Sequence, residues 1–243
     1  MHEFESFVYL DIEKTGSAFI SRLLRRFSAE REIRRDHHLP MSLMFDPEKF
    51  YFISVRDPLD CYISLYSFGC GFKGKMRSRL EELNRDHYYD GTTEGFNAWL
   101  NYVLRPEHAR ALGEGYDKVG NGEIANLMGF QSYRFLRLAL PRCEKFLKKC
   151  ETQEDIRSAY AENKLPGYVV RYESFAEDLC ELLSGPLRHA ISDVDAALEY
   201  VRTAEPVNAS QRIDKTAEDF GLREIVRRRL RKREWFMHEL FQY

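Results

Sequence analysis

Two short stretches of this sequence combine residue types suited to holding an anion. The first is Asp11-Ile12-Glu13-Lys14-Thr15-Gly16-Ser17-Ala18. A glycine turn that opens a helix leaves backbone N–H groups without partners and places the positive end of the helix dipole beside them. Lys14 adds a full charge, and the hydroxyls of Thr15 and Ser17 add donors. Taken alone, these residues also read as a tight turn carrying a surface lysine. The spacing is not that of a Walker A loop, where lysine follows the second of two glycines; here Lys14 precedes the single glycine, Gly16, which argues against a P-loop kinase.

The second stretch is Val55-Arg56-Asp57-Pro58-Leu59-Asp60-Cys61-Tyr62-Ile63-Ser64-Leu65-Tyr66. A guanidinium fork and a hydroxyl about two helical turns later can converge on one phosphate. Asp57 also suits an N-cap and Pro58 a first helical position, so a capped helix is the alternative for this stretch alone. Between the two lies Asp36-His37-His38-Leu39-Pro40, whose imidazoles titrate near neutrality and suit proton transfer.

These residues need elements to position them. Phe7–Leu10 is a short apolar run of the kind that forms a buried strand, and Phe19, Ile20, Leu23, Leu24 and Phe27 then recur with helical period. Phe50–Val55 is a second strand, followed at once by Arg56 and the helix from Pro58. A third strand is expected over Gly167–Tyr172, with a helix starting at Phe175. Strands alternating with helices predict an α/β fold: a three-layer domain with a central parallel sheet flanked by helices and a P-loop-like phosphate site. Helices are also expected over Phe96–Leu104, Gly122–Leu140, Thr152–Glu162, Asp193–Arg202 and Leu222–Leu240. The glycines at 69, 71 and 74 and the charged residues after them predict an irregular excursion over 69–105, a lid or acceptor-binding segment. No repeat or linker divides the 243 residues, so one domain over 1–243 is expected.

Composition narrows the class. Apolar residues at 44 % suffice for a core, and a net charge of −2 gives no global attraction to nucleic acid. The five cysteines are odd in number and lack metal-ligand spacing, which predicts neither a disulfide framework nor a metal site. That cysteine usage, with no signal peptide and no membrane span in the sequence, predicts a cytoplasmic protein.

The two anion stretches, in this order and each after a strand, resemble the 3′-phosphoadenosine-5′-phosphosulfate (PAPS)-dependent sulfotransferase family. Lys14-Thr15-Gly16-Ser17 is similar to its loop P-K-[TS]-G-[TS]-[TS], with Glu13 in place of the proline and Ala18 in place of the last hydroxyl. Arg56 to Tyr66 matches its R-[DN]-P-x-[DE]-x-x-x-S-x-[YF] motif throughout, and Arg171-Tyr172-Glu173-Ser174-Phe175 resembles a later strand end. The resemblance implies sulfuryl transfer from PAPS, leaving PAP, to a hydroxyl of a carbohydrate or small metabolite, without a metal. Lys14, Thr15, Gly16, Ser17 and the Ala18 N–H would hold the 5′-phosphosulfate, with Lys14 meeting charge on the leaving phosphate. Arg56 and Ser64 would hold the 3′-phosphate, and Arg212, in a polar loop after Asn208-Ala209-Ser210, would close on it. His38 matches an H-x-P segment of the glycan O-sulfotransferase branches and is the first choice for general base. His37 is its neighbour, and Glu13 is an alternative that reads equally as an ion-pair partner of Lys14. The departures at Glu13 and Ala18 leave open a non-catalytic regulator that binds PAPS or PAP. Spacing carries no code for the acceptor or the oligomeric state.

Overall fold

The structure is a computed structural model that describes residues 1–36, 45–204 and 220–243. His37, His38 and Arg212 lie outside the described residues. The chain divides into two compact units, one of Met1–Arg56, Phe135–Cys143 and Tyr160–Ala209, the other of Asp57–Arg134, Glu144–Ala159 and Ser210–Tyr243.

The first unit is built on a five-stranded sheet. Its strands are β1 (His2–Glu3), β2 (Phe7–Leu10), β3 (Arg34–Arg35), β4 (Phe50–Val55) and β5 (Tyr168–Arg171), in the order β3-β1-β2-β4-β5. β2, β4 and β5 are parallel, with Leu10 opposite Ile53 and Val55 opposite Arg171. β1 runs antiparallel to β2 and to β3. The expectation of a parallel sheet therefore holds for the three strands read from the sequence and is corrected at the edge. Strands of two residues leave no period to detect, so β1 and β3 escape a reading of the sequence.

Helices flank this sheet because its strands bury both faces. Phe7, Tyr9, Phe52 and Val170 pack against Ile20, Leu23 and Leu24 of the helix Ser17–Phe27, with Leu179, Leu182, Ala197 and Val201 of two later helices. Val8, Leu10 and Ile53, which alternate with them, are also fully buried. Continuous burial of this kind belongs to parallel strands covered on both sides.

The second unit is helical among its described residues. Its core gathers Tyr66, Tyr89, Phe96, Trp99 and Phe220, with ring centroids 4.4 Å apart for Phe96 and Phe220 and the Trp99 indole N–H donating to the Tyr89 hydroxyl at 3.0 Å. The stretch after the glycines is more regular than expected, since it holds the helix Lys75–Glu82. The helix expected over Phe96–Leu104 is present as Thr93–Val103, capped by the Thr92 hydroxyl, which accepts from Gly95 N–H. Arg77 orders the glycine stretch by donating to the Gly69 carbonyl at 2.8 Å, a tertiary bond that composition does not reveal.

Two expected long helices are each broken, and the two breaks are bonded to each other. Ile124–Leu127 and Phe130–Ala139 replace a single helix over Gly122–Leu140, while Glu224–Arg233 and Trp235–Phe241 replace one over Leu222–Leu240. Glu234, at the second break, is fully buried. Its carboxylate accepts from the Gln131 and Ser132 N–H groups at the start of Phe130–Ala139, from the Ser132 hydroxyl, and from the Tyr62 hydroxyl at 2.7 Å. A carboxylate at a helix N-terminus satisfies donors that the helix itself cannot.

Candidate active site

The C-terminal ends of β2, β4 and β5 lie side by side, because the three strands are parallel neighbours. The loop 11–16 leaves β2, Arg56 leaves β4 and Tyr172 leaves β5. The crevice outside the carboxyl ends of parallel strands is where open α/β sheets take ligands.

The loop after β2 is wound tightly. Lys14 has φ 73° and Gly16 has φ 86°, so two residues in three are left-handed. For lysine this costs roughly 1–2 kcal/mol, because its Cβ crowds the following carbonyl. Gly16 has a second constraint: a Cβ there would sit 2.6 Å from a ring carbon of Phe175. The helix Ser17–Phe27 follows with no side-chain cap at Gly16 and no acidic residue in its first turn. A left-handed turn feeding an uncapped helix turns successive N–H groups toward one point and suits an anion. Ser17 is half-buried and Ala18 exposed at this start.

Thr15 plays a different part from the one its hydroxyl suggests. Its side chain is 1 % exposed. The hydroxyl donates to the Ile12 carbonyl at 2.8 Å and lies 2.6 Å from the Ser54 hydroxyl, which is itself 2.6 Å from the Tyr9 hydroxyl. Thr15 therefore commits its side chain to the shape of the loop. The Lys14 ammonium and the Glu13 carboxylate are 3.7 Å apart, so Glu13 is paired with the lysine beside it.

Arg56 is half-buried at the end of β4, its guanidinium carbon 4.2 Å from the centroid of the Tyr172 ring. The register explains the contact: Val55 pairs with Arg171, so the residues that follow each must meet. The Tyr172 ring lies 5.7 Å from that of Phe175, the ring that packs on Gly16. An aromatic path thus joins Arg56 to the loop of Lys14 within the first unit. Tyr172, Phe175 and Ser54 are the site residues that sequence reasoning misses. Arg171–Phe175 is legible as a motif, but only strand pairing gives its side chains a task.

Ser64 belongs to the second unit, on the helix Pro58–Cys70, and is 7 % exposed. That helix starts as expected, with Pro58 in its first turn and the Asp57 carboxylate accepting from Leu59 N–H at 2.7 Å. Burial raises the Asp57 carboxyl above its ordinary value, against the lowering effect of that N–H. Among the described residues no group of three or more His, Cys, Asp and Glu side chains is placed to hold a metal ion.

A family model described as the sulfotransferase family matches residues 1–119, the part of the chain that contains the Lys14 loop, Arg56 and Ser64. This match over the first 119 residues supports membership of the chain in the sulfotransferase family. Neither a curated protein nor a solved structure matches it. A domain of this family supports sulfuryl transfer in general. No helix among the described residues of the chain is long and apolar enough to cross a membrane.

Proposed function

We propose that this chain is a sulfotransferase that takes its sulfuryl group from PAPS and delivers it to a hydroxyl of a carbohydrate or small metabolite. One observation carries the choice of donor. The left-handed Lys14–Gly16 loop and the Tyr172-stacked Arg56 stand at the same end of three adjacent parallel strands. PAPS, when bound, supplies an activated sulfuryl group whose leaving partner is a phosphate, and it carries a second phosphate on the ribose. Two anionic groups on one ligand call for two cationic sites, and the residues present fit.

In this assignment the N–H groups of Gly16, Ser17 and Ala18 hold the 5′-phosphosulfate, with Thr15 shaping the turn. Lys14 stabilises negative charge as it develops on the leaving oxygen, the kind of fixed electrostatic contact that dominates such transfers. Arg56 binds the 3′-phosphate with its planar fork, and the sequence motifs leave Ser64 and Arg212 as further candidates for that group. Stacking on Tyr172 restricts the rotamers of Arg56 before ligand arrives, so less entropy is lost on binding. A base must take the acceptor's proton, and His38 is assigned this role ahead of His37. Glu13 is the weaker choice, since its carboxylate is paired with Lys14. Residues 69–105 are assigned to the acceptor.

The test is incubation of the protein with 35S-labelled PAPS and a panel of carbohydrate and small hydroxyl acceptors. Labelled product with the wild type, and loss of it in Lys14→Ala and Arg56→Ala, is the expected result. Tight PAP binding with no transfer to any acceptor would support the non-catalytic regulator instead. Absence of PAP binding by calorimetry would remove PAPS as the donor.

A further inference from the structure

The three buried hydroxyls beneath the loop have a determined order. Thr15 owns one hydroxyl proton, and it is directed to the Ile12 carbonyl at 2.8 Å. At the 2.6 Å contact with Ser54, Thr15 must therefore accept and Ser54 must donate. Ser54 then has no proton left for Tyr9, so the Tyr9 phenol donates to Ser54 at 2.6 Å. The chain runs one way, from Tyr9 on β2 through Ser54 on β4 to Thr15 in the loop, and ends on Ile12. Tyr9 and Ser54 are 0 % exposed and Thr15 is 1 % exposed, so water does not compete. Burial also keeps the Tyr9 phenol protonated by raising it well above its ordinary value.

The bond from Thr15 to Ile12 closes the turn that contains Glu13 and Lys14, and Lys14 is the residue held left-handed. Nothing in a lysine side chain favours that conformation, so its surroundings must impose it. The tie comes from the neighbouring strand, two residues before Arg56.

We propose that Ser54 is a positioning residue for Lys14, acting through Thr15 to hold the loop in the turn that a donor phosphate requires. The proposal rests on the assignment of this loop as the PAPS site and adds a residue to it. One strand end then sets both cationic groups, Arg56 by chain continuity and Lys14 by the hydroxyl tie.

Amide hydrogen exchange over 12–17 in the nucleotide-free protein, with calorimetric PAP titration, tests it in Ser54→Ala, Thr15→Val and Thr15→Ser. The double variant Tyr9→Phe/Ser54→Ala is included because it removes the phenol that Ser54→Ala would leave without an acceptor. Exchange should quicken about tenfold in Ser54→Ala, Thr15→Val and Tyr9→Phe/Ser54→Ala, with PAP affinity falling by a similar factor. Thr15→Ser, which retains the hydroxyl, should match the wild type. Combining Ser54→Ala with Thr15→Val should add nothing to either alone, and Ser54→Ala should cost no further PAP affinity once Lys14 is Ala. Exchange at the wild-type rate in Thr15→Val and in Tyr9→Phe/Ser54→Ala would overturn the proposal. So would a full further loss of affinity in the Lys14→Ala background. If the loop loosens as expected and the wild type fails to bind PAP, the donor assignment fails while the positioning role stands.

Discussion

The guanidinium of Arg56 lies over the ring of Tyr172 at 4.2 Å, and the two residues are brought together by the pairing of Val55 with Arg171 one step earlier in their strands. A ring face orients a guanidinium without cancelling its charge, which suits a residue that must meet an anion. Removing the ring in Tyr172→Ala should weaken PAP binding roughly two- to thirtyfold, the range for a cation–π contact from exposed to desolvated. Tyr172→Phe keeps the ring face and should bind as the wild type. Isothermal titration with PAP separates the two; equal losses would assign the effect to the phenol hydroxyl instead.

Gly16 faces two independent demands, a φ of 86° and a Phe175 ring that would stand 2.6 Å from any Cβ placed there. Gly16→Ala should destabilise the fold by about 1–3 kcal/mol, measurable by urea denaturation. Adding Phe175→Ala relieves the collision and leaves the dihedral strain, so PAP affinity should not recover in the double variant. Full recovery would show that the ring alone excludes a side chain.

The proton acceptor can be assigned by three single variants. His38→Ala should lose most turnover, by a factor of about 10²–10⁴, while PAP affinity is kept. His37→Ala should retain turnover. Glu13→Gln should change the behaviour of Lys14 more than the proton transfer, because the two are ion-paired. Turnover by His38→Ala at the wild-type rate, with loss in either of the others, would move the role accordingly.

Asp57 carries a pH signature. Burial raises its carboxyl in the folded chain, so between the ordinary Asp value of about 3.9 and the folded value the native state binds more protons than the unfolded state. Stability from this group therefore falls as pH rises through that interval and stays lower above it. Asp57→Asn keeps an acceptor for the Leu59 N–H and lacks the buried charge. Relative to it, the wild type should lose stability as pH is raised from below about 3.9 to neutrality. Asp57→Ala, which also removes the cap, should be about 1 kcal/mol less stable than Asp57→Asn at every pH. Urea titrations at several pH values read both effects; a wild type that instead gains on Asp57→Asn with rising pH would reverse the sign.

By itself the sequence determined the local elements and the chemistry they could carry. Phe7–Leu10 and Phe50–Val55 were legible as strands because each is a short apolar run ending at a turn signal, and Asp57-Pro58 was legible as a helix start because cap and proline act within a few residues. The Lys14 loop and Arg56 were legible because anion binding needs few residue types at short spacing. Only the tertiary structure decided what lies beside them. The edge strands His2–Glu3 and Arg34–Arg35, too short to show a period, exist through pairing. The breaks at Met128–Gly129 and at Glu234 are joined by a buried carboxylate that caps a helix about a hundred residues away, an interaction that helical periodicity cannot report. Arg56 and Tyr172 follow the same rule: they are far apart in the chain, and parallel register alone makes them neighbours.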